Sequence, residues 1–194
     1  MNDVIAAIMN RHAIRKYTAK QVPEDVLEQI LEAGLYAPSA GNNQYSRIVV
    51  SQDPTVNLEL GKLSRYMQFK GADPASVAHS ISADQPSIQD DFTIKDGFYG
   101  APTVLTLFVQ PGQYAHDDAA MMAMNIMLAA TSLGVGSCYI GRTDEVFATE
   151  YGQAKRVEWG VPDDMVPVCN ILLGYRDGAA PKSKPRKPGR IIRA

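Results

Sequence analysis

Leu133-Gly134-Val135-Gly136-Ser137-Cys138-Tyr139-Ile140-Gly141 decides how this chain is built. Upstream, Asp117 or Asp118 opens a helix that runs to Leu133 and carries Met121, Met122, Met124, Ile126, Met127 and Leu128 among alanines. Gly134 stops it, because glycine adopts the left-handed backbone that closes a helix C-terminus. Ser137–Ile140 then reads as a short strand. The Gly-x-Gly is not a dinucleotide fingerprint: the third glycine is absent at the required spacing, and a strand follows instead of a helix. It is not a phosphate-binding P-loop either, since no Gly-Lys-Ser/Thr follows. It offers close backbone approach, with a free amide near Gly141. A helix apolar nearly all round is buried on all sides. In a chain of this size that predicts a subunit interface as well as a core.

Reading outward, residues 3–10 form a short helix with Asp3 as its cap. Pro23 opens a second helix, in which Val26, Leu27, Ile30 and Leu31 repeat at 3.6-residue spacing and which Gly34 and Pro38 end. Arg47–Ser51 is a strand, Thr55–Phe69 a helix, Thr103–Val109 a buried strand, Asp144–Tyr151 a short helix and Val168–Gly174 another buried strand. Strands separated by helices predict an α/β or α+β sheet with helices packed on it. Residues 71–100 read as a helix-containing excursion of the kind that covers a ligand. From about residue 179 to 194 the chain is a basic, proline-rich extended arm.

The 194 residues, 45% hydrophobic and 21% charged, suit one domain spanning 1–194. No apolar run is long enough to span a bilayer, and the N-terminus lacks a signal-peptide pattern. Cys138 and Cys169 sit in apolar runs and read as buried thiols. A cytoplasmic protein without membrane contact is expected. The net charge of −2 is uneven: six Lys or Arg and no acid follow Pro181, against thirteen and twenty-one before it. An acidic body argues against a nucleic-acid surface and leaves the tail as a strap over an anion or a solvated end.

Arg11-His12-Ala13-Ile14-Arg15 places two guanidiniums where both can converge on one phosphate. Pro38-Ser39-Ala40-Gly41-Asn42-Asn43-Gln44 is a tight turn whose amides suit the edge of a pyrimidine-like ring or satisfy the turn itself. Lys182-Ser183-Lys184-Pro185-Arg186-Lys187 adds cations at the far end. The histidines, at 12, 79 and 116, lack metal-ligand spacing. There is no nucleophile elbow and no histidine near either cysteine in the sequence, so no metal is expected. Ligand signals without a side-chain nucleophile point to chemistry carried by a cofactor, nucleotide-like, with a phosphate at one end and a heteroaromatic ring at the other.

In order along the chain, these motifs resemble the nitroreductase family of flavin mononucleotide enzymes. Arg11–Arg15 resembles its Arg-x-Ser-x-Arg/Lys motif, with Ala13 where the family has serine. Pro38–Asn42 resembles its Pro-Ser-x-x-Asn loop, followed here by Tyr45-Ser46 rather than proline and an aromatic. Gly100-Ala101-Pro102, Leu133–Gly141, Gly160-Val161-Pro162 with Leu173-Gly174-Tyr175, and Pro181–Arg186 complete the match. The resemblance implies an α+β fold, an antiparallel-rich sheet flanked by helices, in an intertwined homodimer. It implies that Arg11, His12, Ala13, Arg15, Lys182, Lys184 and Arg186 hold the FMN phosphate and ribityl chain. Pro38, Ser39, Ala40 and Asn42 would come from the other subunit, and the Gly141 amide would lie near flavin N5. It implies ping-pong hydride transfer from NADH or NADPH to a nitroaromatic, quinone or enone. The alternatives are dehalogenation or flavin breakdown on the same scaffold, or a non-enzymatic flavin-binding or redox-sensing protein.

Overall fold

Strand β2 (Thr103–Val109) is buried at every position. Uninterrupted burial of this kind marks a central strand covered on both faces. It pairs antiparallel with β1 (Arg47–Ser51) on one side and β4 (Val166–Gly174) on the other; β3 (Gly136–Ile140) pairs antiparallel with β4. The order β1-β2-β4-β3, with every ladder antiparallel, is that of an α+β and not an α/β sheet. The computed structural model describes residues 2–70, 93–181, 183 and 185–194. Most of the expected excursion, residues 71–92, lies outside them, and 93–100 is a loop with turns.

Alternation along the strands assigns side chains to two layers. Leu105, Leu107, Ile171 and Leu173 face α2 (Glu24–Leu35) and α4 (Ala115–Ser132). Val104, Phe108, Cys138 and Leu172 face α3 (Pro54–Phe69) and α5 (Thr143–Phe147). Leu105 is fully buried at the centre of the first layer. Leu105→Ala is expected to lower stability by about 2–5 kcal/mol, read as a fall in the urea midpoint with an unchanged slope.

Several helix ends differ from the sequence reading. The cap of α1 (Asp3–Asn10) is Asn2, whose Oδ1 accepts from the Val4 amide at 3.0 Å, and not Asp3. Gly34 does not end α2 but sits inside it, where a Cβ would meet Ile126 Cγ1 at 2.6 Å. It is there for close approach of α2 to α4. The span read as one helix from Asp144 to Tyr151 is broken: α5 ends at Phe147, and Thr149 caps α6 (Glu150–Glu158) by accepting from the Gly152 amide at 3.1 Å. Gly134, at φ +74°, does close α4, and the Val135 amide returns to the Ala130 carbonyl at 2.8 Å.

Part of the exposed apolar surface lies on two neighbouring helices, α1 and α4. Within one chain α4 is not buried all round: Met121 and Met124 are 38% and 45% exposed. Helix α1 has no buried residue, and Val4, Ile5, Ile8 and Met9 all lie in solvent.

Candidate functional site

After α1 the chain becomes extended and runs along the free edge of β3. Ala13 bridges Ser137 in parallel, the Ile14 amide donates to the Ser137 carbonyl at 2.9 Å, and the Thr18 amide donates to the Tyr175 carbonyl at 2.8 Å. This anchoring places Arg11, at the C-cap of α1, and Arg15 within electrostatic reach of the same buried thiol. Burial pushes the Cys138 thiol up in pKa, and Arg15 and Arg11 both oppose that shift. Both guanidiniums are partly exposed, and Arg11 makes no ion pair among the described residues.

Arg15 is oriented by a residue the motif reading did not single out. The Tyr99 phenol is hydrogen-bonded to its side chain, and burial raises the phenol's pKa while Arg15 opposes the rise. Tyr99 has φ +56°, a conformation that costs a non-glycine residue about 1 kcal/mol or more. Asp96 holds that turn: its carboxylate accepts from the Phe98 and Gly100 amides, both at 2.7 Å.

His12 turns away from this pair. Its Nδ1–H donates to the Asn10 carbonyl at 2.6 Å, leaving Nε2 to accept from the Ser183 hydroxyl at 3.0 Å. This contact brings the basic arm back to the Arg11–Arg15 segment. His12, Ile14, Thr131, Gly134, Ser137 and Ser183 line part of a cavity of about 610 Å³. Arg186 is exposed, and Lys182 and Lys184 lie outside the described residues. Arg186→Ala is expected to weaken FMN binding by at most about fivefold, as fits a single solvated cation, measured by flavin fluorescence titration.

The Pro38 loop lies at the other end of α4. The Ala40 amide donates to Asp118 Oδ1 at 3.0 Å, and the Gln44 amide donates to the Ser39 hydroxyl at 3.0 Å. Gln44 Nε2 donates to Asn42 Oδ1 at 3.1 Å, so part of this amide set satisfies its own turn. Pro38, Ser39, Ala40, Tyr114 and Met121 border a second cavity of about 430 Å³. From Asp118, which holds the loop, to Thr131, which lines the first cavity, α4 rises about 20 Å. Within one chain the two cavities lie at opposite ends of α4.

Gly141 and Arg142 form the turn from β3 into α5, with Gly141 exposed and Arg142 at φ +58°. Beside it, burial pushes the Cys169 thiol and the Tyr139 phenol each up to about 12, so neither ionises near neutral pH.

A family model for the nitroreductase family matches residues 8–175. This chain belongs to the nitroreductase family. It is similar to a nitroreductase with bound FMN from Bacteroides fragilis, at 30% identity and a TM-score of 0.83, with both chains covered in full. It is 27% identical to an NADPH-flavin oxidoreductase from Vibrio harveyi, over 99% of this chain and 73% of that one. It is also 27% identical to the nitroreductase NfnB of Mycolicibacterium smegmatis, over 93% of this chain and 86% of that one.

In this nitroreductase-family chain the structure sets Arg11, Ala13 and Arg15 on one segment, ties the arm to His12 of that segment through Ser183, and places Pro38, Ser39, Ala40 and Asn42 at the other end of α4. Tyr99 and Asp96 were the residues missed. Asp-Gly-Phe-Tyr-Gly at 96–100 is a turn composition, but nothing in it shows that the turn delivers a phenol to Arg15. Among the described residues no helix is long and apolar enough to cross a membrane.

Proposed function

We propose that this protein is an FMN-dependent oxidoreductase that uses NADH or NADPH and works as a homodimer. The observation that carries the reading is the placement of Arg11 and Arg15 on one short extended segment anchored to β3, on a fold matching an FMN-bound relative over its full length. The donor set fits that group: forked guanidiniums suit a phosphate, and the loop amides suit a ring edge. When bound, FMN would accept a hydride from the nicotinamide and deliver electrons to a nitroaromatic, quinone or enone at the same face.

The chain's own residues bind and orient. Arg11 and Arg15 would take the phosphate, with the arm, which carries Arg186 and the lysines at 182 and 184, adding positive charge. Ala13 leaves room beside the ribityl chain. His12 holds the arm through Ser183. The exposed Gly141 amide, in the turn after β3, would be available as a donor to the flavin ring. Pro38, Ser39, Ala40 and Asn42 of a second copy complete the ring site. Antiparallel packing of two α4 helices about a two-fold axis brings the Asp118 end of one to the Thr131 end of the other. The exposed Met121, Met124 and α1 side chains supply an apolar contact surface.

The absorption spectrum of the purified protein tests the cofactor, and steady-state NADH or NADPH oxidation with a quinone tests the activity. A yellow protein that releases FMN on denaturation and turns over is expected. A protein that neither carries nor takes up FMN overturns the reading.

A further inference from the structure

Three polar side chains cross the otherwise apolar face of the sheet under α5. Thr106, Asn170 and Thr143 are each 1% exposed or less. The Thr106 hydroxyl donates to Asn170 Oδ1 at 2.8 Å, and Asn170 Nδ2 donates to the Thr143 hydroxyl at 2.9 Å. Thr143 in turn donates to the Ile140 carbonyl at 3.5 Å. Register explains the row: Thr106 on β2 and Ile140 on β3 both lie opposite Asn170 on β4. Their neighbours on this face, Val104, Phe108, Cys138 and Leu172, are apolar. An apolar trio would pack there without demanding any partner, so the polar row fixes something that packing alone does not.

It fixes the turn between Ile140 and Thr143. Thr143 is the first residue of α5, and the network ties it both to the central strands and back to the residue before Gly141. Arg142, between them, is held at φ +58° and ψ +28°. A non-glycine residue stays in that conformation only where its surroundings over-determine it. We propose that Thr106, Asn170 and Thr143 are positioning residues that hold the Gly141 amide at the angle from which it faces the flavin. This rests on the proposed FMN reading.

The test uses the FMN-loaded dimer with two independent readouts. Amide hydrogen exchange at Val146, whose N–H donates to the Arg142 carbonyl at 3.3 Å, reports the turn. The flavin midpoint potential reports the amide. Thr143→Val leaves Asn170 Nδ2 without its acceptor, and exchange at Val146 is expected to quicken about tenfold. The potential is expected to shift by about 30 mV, the two-electron equivalent of a tenfold change. Thr143→Ser keeps the hydroxyl and is expected to restore both. Unchanged exchange in Thr143→Val overturns the network's role. Faster exchange at an unchanged potential shows instead that Gly141 does not face the flavin, and overturns the positioning claim from the other side. Should Thr143→Val not fold, Thr106→Val, which loses one bond at the far end of the row, takes the same two readouts, with the same outcomes deciding.

Discussion

Met124→Glu is expected to give a folded monomer that no longer retains FMN. Met124 is 45% exposed on α4, so a glutamate there meets solvent in the isolated chain and costs the fold little. Glutamate is also as good a helix former as methionine. Between two α4 helices related by a two-fold axis, two copies of the same carboxylate would face one another in an apolar seam, and burying them unpaired is prohibitive. Since the Pro38 loop and the Arg11–Arg15 segment sit at opposite ends of one helix, separating the subunits would leave each proposed flavin site half built. Analytical ultracentrifugation with flavin content per chain checks both parts. A variant that stays dimeric with FMN bound places the interface elsewhere, and a monomer that keeps its flavin refutes a shared site.

Arg15→Ala is expected to weaken FMN binding by about ten- to a hundredfold, the equivalent of a charge-assisted contact of roughly 1.5–3 kcal/mol. Arg15→Lys is expected to recover only part of that loss, because a lysine keeps the charge but not the planar fork that both a phosphate and the Tyr99 phenol engage. Isothermal titration of the flavin-stripped protein measures it. Unchanged affinity in Arg15→Ala would move the phosphate away from this segment.

The parts of the fold legible in the sequence were those where one period rules a long segment. Thr103–Val109 is apolar at nearly every position because both its faces are covered, and Leu27 and Ile30 of α2 repeat on the side that meets the core. Places where a residue serves a distant neighbour were misread. Gly34 looked like a stop signal because a helix-breaking residue and a close-packing one are the same letter; only the position of Ile126 tells them apart. The break at Ala148 was hidden because Thr149 caps through its side chain without any glycine or proline to mark it. At the site, the order of the motifs led to the Arg11–Arg15 segment and the Pro38 loop. Their separation along α4 is a three-dimensional fact that no spacing encodes. Thr106, Asn170 and Thr143 are scattered single polar letters in a sequence, and become a row only through strand register.

Helix α1 has a consequence for how the protein reaches its working form. It is eight residues long, shorter than an isolated helix needs to hold together in water, and although it touches α4 it has no fully buried residue in its own chain. In the proposed dimer much of what stabilises it would come from the second copy, and Arg11 is its C-cap. Order at the phosphate end of the proposed site would then be acquired during association and not during the collapse of each chain. Refolding should show a second-order phase whose rate rises with protein concentration, and the gain of flavin-binding capacity should follow that phase rather than the earlier formation of the sheet.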